Sequence, residues 1–372
     1  MDTENKLATL SADGQYDLAC ACGTNQHDRR RRDKENQGWI YPVTLPNGGR
    51  SVLFKTLLSN ECVNDCRYCP LRSAGNARRC SLTPEETVNA FLSYLQRGQV
   101  FGLFLSSGVV GTPDRTMQKL IDVARILRRK KEFRGYLHLK LIPGASEAAL
   151  REAISLASAV SLNIETAGEK HFKRLSLRKD YLRDVIQPLR LISRLTAPGT
   201  RFSRVKQTTQ FVVGAADETD RELVKYMGGL YQRLNLHRVY FSAYQRGVGE
   251  PGLPGEQTEA GRLLNREHRL YQCDWLIRKY GFKPEEIPFD STGNLAVDTD
   301  PKEHWARLHP EYFPLNVNRA EERELLRVPG LGPVTVKRIL QRRKSGGRIH
   351  RLEEIGRPNR LLRKATGYLV FS

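Results

Sequence analysis

Ser51-Val-Leu-Phe-Lys-Thr-Leu-Leu58 runs into Cys62-Val-Asn-Asp-Cys66-Arg-Tyr-Cys69-Pro70, an apolar run of strand length followed by three cysteines on one short loop. The C-x3-C-x2-C spacing lets three thiolates turn inward and hold a metal centre. Zinc asks for a fourth protein ligand to close a tetrahedron. An iron–sulfur cubane is held by three thiolates with one iron left open for substrate or cofactor. The surroundings favour the second option, because a cluster loop after a strand sits where α/β sheets and barrels place their chemistry. Tyr68, just before the third cysteine, offers a flat apolar surface beside the cluster.

The rest of the chain is consistent with that start. It has seven cysteines, and an odd number in a chain whose first residues lack the basic and apolar regions of a secretory signal argues against a disulfide framework. Cys20, Cys22 and Cys80 read as unpaired thiols, with a cysteine-bearing extension near the site as the alternative; Cys273 reads as a core thiol. With 372 residues, 39% of them hydrophobic, the chain can bury a large core, and no stretch approaches 18 apolar residues. A soluble, cytoplasmic protein of two or so domains is expected. The formal charge of +20 suggests a polyanionic partner. Residues 1–50 are net zero, residues 51–318 net +11 and residues 319–372 net +9. The +11 is expected to line a path from the hairpin to the barrel mouth, and the run Arg29–Arg32 reads as a solvated loop, with a phosphate-contacting arm as the alternative.

Strands and amphipathic helices alternate after the cysteines. Strands are expected over 51–58, 100–106, 136–142, 159–165, 206–213 and 237–243, with helices over 84–97, 114–131, 146–158, 179–195 and 217–234. Alternation puts His138 and Lys140 on one face of their strand, Asn163 and Glu165 on one face of theirs, and Thr208 and Gln210 on one face of the next. One face of each strand is apolar and the other polar. A packed lumen does not tolerate polar groups without partners, so these residues point to a bound polar ligand or to pairing among themselves.

The cysteine spacing, with an aromatic before the third cysteine and a first strand before them all, resembles the signature of the radical S-adenosylmethionine (radical SAM) superfamily. The resemblance implies an α/β fold, a partial (β/α)6 barrel of TIM type. It implies a 4Fe–4S cluster on Cys62, Cys66 and Cys69, and S-adenosylmethionine chelated to the fourth iron. One-electron reduction by an electron donor then yields a 5′-deoxyadenosyl radical that abstracts hydrogen from substrate. By the same resemblance Tyr68 lies near the adenine. Ser106-Ser107-Gly108 stands where the family often has Gly-Gly-Glu, without its acidic residue, and Asn163, Glu165 and Gln210 are cofactor-binding candidates. His138 and Lys140 are candidates for substrate contact or proton transfer.

Glu324-Leu-Leu-Arg-Val-Pro-Gly330-Leu-Gly332-Pro-Val-Thr-Val-Lys337-Arg338 continues to Arg342-Arg343 and reads helix, hairpin, helix. It resembles the helix-hairpin-helix module of DNA repair and recombination proteins. Gly330 and Gly332 allow a tight turn, so backbone N–H groups at the next helix point at a phosphate. Lys337, Arg338 and Arg342 add charge along that helix. The bland alternative is a hairpin used for internal packing. The expected organisation is an extension over 1–50, the partial barrel over 51–250, a helical connector over 251–318 packed on the barrel, and a small all-α helix-hairpin-helix domain over 319–372.

Both modules on one chain resemble radical SAM proteins of DNA modification or repair. That implies DNA as partner and a uracil-DNA-glycosylase-like protein as another. Radical modification of RNA is the rival among enzymes. A nucleic-acid-binding protein with a structural or redox-sensing cluster is the rival outside them.

Overall fold

A computed structural model of the chain describes residues 2–14, 39–44 and 50–372. Cys20, Cys22 and the run Arg29–Arg32 lie outside the described residues. The chain divides into two compact units, Met1–Glu218 with Gly229–Glu267, and Thr219–Gly228 with His268–Ser372. Among the described residues no helix is long and apolar enough to cross a membrane.

The first unit is built on one curled sheet in the order β1 (Ile40–Thr44), β2 (Arg50–Leu57), β3 (Gly102–Ser106), β4 (Tyr136–Lys140), β5 (Ala159–Ser161), β6 (Lys206–Val213) and β7 (Arg238–Ala243). β2 to β7 are all parallel, and β1 pairs antiparallel with β2 at the edge. The six parallel strands are those expected from the sequence; the antiparallel β1 is an addition. Parallel order places every loop that follows a strand at one end of the sheet, so the Cys62–Cys69 loop shares that end with the loops after β3 to β7.

Local chemistry sets the crossovers. Thr83 caps helix 84–96: its hydroxyl accepts from Glu86 N at 3.1 Å, and the Glu86 carboxylate accepts from Thr83 N at 2.7 Å. Ser146 caps helix 147–156 through its hydroxyl alone, which accepts from Ala149 N. The outer face of the sheet is apolar. Phe54 and Phe91 are fully buried, with ring centroids 6.0 Å apart. Each such side chain contributes about 2–3 kcal/mol through burial.

Two expected elements depart from the sequence reading. The fourth expected strand ends at Ser161 rather than Glu165. The Thr209 hydroxyl takes the place of the backbone there, accepting from Ile164 N at 3.0 Å and donating to Leu162 O at 2.8 Å. Glu165 then turns with φ +68° before it rejoins β6 through Gln210 O at 3.0 Å. The expected helix 179–195 begins as a π turn at Tyr181–Ile186, and an unforeseen helix, Glu169–Leu175, precedes it.

The second unit packs helices 301–308, 322–327, 333–344 and 360–366 around Val317, Leu325, Val328, Leu331, Val336 and Ile339, with a short parallel pair, Leu315–Asn316 against Leu369–Val370. Trp305 anchors it. Its ring meets Phe282 edge-on at 5.5 Å, and the Arg327 guanidinium lies 4.8 Å from its centroid while pairing with Glu286 at 2.7 Å.

Candidate active site and nucleic-acid interface

The cysteine loop is held mostly through its backbone, which leaves the thiols for another task. Arg79 donates to the carbonyls of Leu71, Arg72 and Gly75 at 3.1, 2.9 and 3.1 Å, and also to that of Asn60. Arg72 donates to Cys69 O at 3.0 Å. Asn60 is fixed by Asp13 of the N-terminal helix at 2.6 Å and holds Cys80 N at 2.7 Å. Asp65 accepts from the Ser176 hydroxyl and from Leu177 N. Burial raises its pKa, but these hydrogen bonds outweigh burial and hold the carboxyl below its ordinary value. From the other side Glu250 N donates to Arg67 O at 2.9 Å and the Glu250 carboxylate accepts from Arg67 Nε at 2.6 Å. The Gly/Pro-rich segment 247–256 thus packs against the cysteine loop.

Cys66 is buried, while Cys62 and Cys69 are half-buried. Burial pushes the Cys69 thiol up to about 12, and the neighbouring Cys66 and Cys62 push the same way. Burial also raises Cys66, opposed by the Lys179 ammonium that bonds to it. Lys179 is raised in turn despite its own burial, because Cys66 and Glu165 lie beside it. Three crowded thiols with one ammonium leave a deficit of positive charge, which a cationic metal core fills by coordinating thiolate. Among the described residues no group of three or more His, Cys, Asp or Glu side chains is drawn together as the ligands of a metal ion. The donor chemistry, three thiols on one loop, fits a cluster that sets each thiolate on a separate iron.

The expected polar residues do share the lumen side. Register aligns Ser106, Lys140, Ser161 and Thr208 in one row, and Lys55, Phe104 and His138 in the row nearer the strand starts. His138 Nε2 lies 3.0 Å from the Ser161 hydroxyl and Nδ1 3.3 Å from the Tyr136 hydroxyl, with the ring against Phe104 at 4.6 Å. Lys140, at the end of β4, stands one row closer to the cysteine loop. Asn163 Nδ2 donates to the Glu165 carboxylate at 3.5 Å, and Glu165 accepts from the Tyr68 hydroxyl. Burial, and then the Glu165 charge, put the Tyr68 pKa well above its ordinary value. Ser107 Oγ donates to its neighbour's carbonyl at 2.7 Å, and Gln210 is buried. Glu218, which sequence reading passed over, is buried and accepts from Thr166 Oγ1 and Gly214 N, each at 3.1 Å, closing the turn after β6.

Gly108 marks a close backbone approach at the site. A Cβ there would stand 2.2 Å from Glu61 O and 3.3 Å from Cys62 Cβ. Gly108→Ala is expected to push the cysteine loop off the β3 end at a cost of about 1–3 kcal/mol. Iron retained after anaerobic reconstitution should fall severalfold while far-ultraviolet circular dichroism stays as in the parent protein.

In the second unit, helix 322–327 and helix 333–344 flank a turn in which Gly330 adopts φ +90°. Gly332 forms the N-cap of the second helix and Pro333 its first residue. Lys337, Arg338 and Arg342 are exposed, so the structure brings the expected hairpin cations together on one helix. Arg343 instead turns back to Ala320 O at 2.6 Å. Behind the turn, buried Lys302 donates to Leu331 O at 2.6 Å with its Nζ 4.5 Å from the Tyr280 ring centroid.

Burial lowers the Lys302 pKa from 10.5 to about 7, with Asp300 pulling the other way. Between those values the unfolded chain binds a proton that the folded chain does not, so stability rises with pH through that window, by up to about 1.4 kcal/mol per unit. Below pH 7 the contribution is flat. Urea unfolding of the parent chain across pH 7 to 10 should show the slope, and Lys302→Met should remove it.

Comparison with known proteins adds identity. The model of the radical SAM superfamily matches residues 56–228, and that of a helix-hairpin-helix motif matches residues 314–366. No curated protein matches the chain. Among solved structures, HydG, a maturase of FeFe-hydrogenase, is 15% identical with a TM-score of 0.44, over 58% of this chain and 48% of that one. HydG from Carboxydothermus hydrogenoformans is 16% identical with a TM-score of 0.44, over 70% and 59%. Methylornithine synthase (PylB) is 13% identical with a TM-score of 0.47, over 74% and 76%. The chain thus spans about half the length of the first of these.

Proposed function

We propose that this chain, which carries a radical SAM superfamily domain and a helix-hairpin-helix motif, is a radical SAM enzyme acting on DNA. Radical SAM enzymes use a 4Fe–4S cluster and S-adenosylmethionine and need a reductant. Cys62, Cys66 and Cys69 would hold the cluster. The bound pair supplies reductive cleavage of a carbon–sulfur bond and, with it, hydrogen abstraction from substrate. The other residues bind and orient. Ser106, Ser107 and Gly108 lie at and just after the end of β3, with Gly108 against the cysteine loop, and would suit the methionyl amino group. Asn163, Glu165 and Gln210 would offer acceptors and donors to a ribose, Tyr68 would lie near the adenine, and the Lys179 ammonium would offset negative charge at the thiolates. Lys140 and His138 line the lumen below and would meet the substrate.

The observation that carries the reading is a three-thiol loop, with Cys66 buried, at the end of a sheet whose lumen side is polar, in a chain that also carries an exposed basic hairpin helix. The hairpin suits phosphate rather than bases, so it positions the enzyme without strong sequence preference. A base in duplex must leave the stack to enter the lumen. The resemblance to DNA repair proteins favours DNA; the glycosylase-like partner has no residue here to argue from and no part in the proposal.

The test is formation of 5′-deoxyadenosine by reconstituted, reduced protein with duplex DNA, single-stranded DNA or structured RNA at one salt concentration. Stimulation by DNA supports the proposal. Stimulation by RNA alone moves the substrate to RNA. Binding of nucleic acid without any 5′-deoxyadenosine makes the cluster structural or redox-sensing.

A further inference from the structure

We propose that the end of the half-barrel where the parallel strands begin, opposite the cysteine loop, is a second nucleic-acid surface that holds sugar-phosphate backbone; this rests on the nucleic-acid reading above. The charge spread over residues 51–318 is expected to line a path from the hairpin to the barrel mouth. The loops at that mouth (58–83, 107–112, 141–146, 162–180, 214–219 and 244–259) carry ten Lys/Arg and ten Asp/Glu, so the mouth itself is balanced. The opposite end differs. Residues 187–206, which lead into β6, hold five Lys/Arg and no acid, and residues 126–135, which lead into β4, hold five Lys/Arg and one acid.

The two segments meet at one residue. Ser158, just before β5, accepts from Lys206 N at 3.1 Å through its carbonyl and from Arg128 at 3.1 Å through its hydroxyl. Arg128 also donates to the carbonyls of Leu156, Phe133 and Gly135 at 2.8, 2.6 and 2.9 Å, so it serves as the brace for this end. Burial, and then the like charge of Arg134, lower its pKa.

The surface cations are uncompensated. Arg129, Lys130, Lys131, Arg201, Arg204 and Lys206 are exposed and form no ion pair among the described residues. Beside them lies a cavity of about 450 Å³ lined by Arg151, Arg194, Leu195, Thr200, Arg201 and Phe202. Arg guanidinium forks match phosphate oxygens two at a time, and Arg194 and Arg201 offer such forks, whereas Arg151 is held by Glu147 at 2.5 Å and the Thr200 hydroxyl donates to the carbonyls of Leu195 and Ala197. The Arg201 guanidinium already lies 5.5 Å from the Phe202 ring centroid, which sets its plane. No exposed large apolar side chain stands among these cations, as a lipid surface would require. Nucleic-acid backbone is therefore the favoured polyanion.

The experiment measures binding of a fluorescent DNA duplex by anisotropy over a range of salt. The full chain is compared with R201Q/R204Q/K206Q, with R129Q/K130Q/K131Q, and with a control that removes the same charge at the other end, R78Q/K170Q/R246Q. Each lost phosphate contact lowers the slope of log K against log salt by about 0.9. Both sets at the strand starts should lower it by roughly 2 to 3, and the control should leave it nearly unchanged. Equal losses from all three variants, or none from the first two, overturn the inference while the hairpin reading stands. A parent chain that binds no nucleic acid overturns both. Binding of the same residues to anionic lipid vesicles, with DNA affinity unaffected by their loss, replaces the partner and sinks the proposal as stated.

Discussion

Cys66→Ala is expected to abolish iron–sulfur absorption after anaerobic reconstitution and to reduce 5′-deoxyadenosine formation to background. Cys66 is the buried member of the three thiols and the one bonded to the Lys179 ammonium. Removing it takes away one of only three thiolates and leaves that ammonium without the thiol partner that offsets its burial. The loss should exceed the roughly 10- to 100-fold caused by altering groups that merely orient a metal ligand. The loop itself should stay folded, because Arg79, Asp65 and Asn60 hold its backbone independently of the thiol. Iron content, the absorption spectrum and circular dichroism measured on one preparation separate lost ligation from lost fold. Cys80→Ala is the matched control. Cys80 is also buried, but its Sγ lies 3.9 Å from Lys6 O at the foot of the N-terminal helix, so iron content should not change.

Gly330→Ala is expected to be the most damaging single change in the second unit. Gly330 has φ +90°, and a Cβ there would stand 2.1 Å from Leu361 O and 3.0 Å from Leu361 C. Both contacts are backbone, so no side chain can swing aside. Strain at positive φ costs about 1–3 kcal/mol, and the overlap adds a similar amount. The turn must open, separating the 333–344 helix N-terminus from the 360–366 helix. Thermal unfolding should drop by several degrees, and duplex DNA affinity should fall by about tenfold or more. Lys337→Gln with Arg338→Gln gives the complementary result, weakened binding and a shallower salt dependence with unchanged stability.

The parts of the fold that followed local chemistry were legible in the sequence. The apolar run before the cysteines gave β2, and strict alternation put His138 and Lys140 on the lumen side. The glycines at 330 and 332 marked the turn between two helices. What was not legible depends on contacts distant in sequence. The early end of β5 comes from a Thr209 hydroxyl 45 or more residues away that stands in for backbone. Lys179 read as the first residue of a helix, and nothing local shows that it meets Cys66. The anchoring of the cysteine loop by Glu250 and Arg79 likewise needs the fold. So does the placement of the basic segments: residues 126–135 and 187–206 look like two solvated runs until parallel strand order sets both at one end of the sheet.

The most direct test of the account is hydrogen transfer. DNA deuterated at its sugar and base carbons is incubated with the reconstituted, reduced enzyme and unlabelled S-adenosylmethionine, and the 5′-deoxyadenosine is weighed by mass spectrometry. The account predicts deuterium in its methyl group, absent from Cys66→Ala. Formation of 5′-deoxyadenosine that never carries deuterium from any labelled nucleic acid would contradict it.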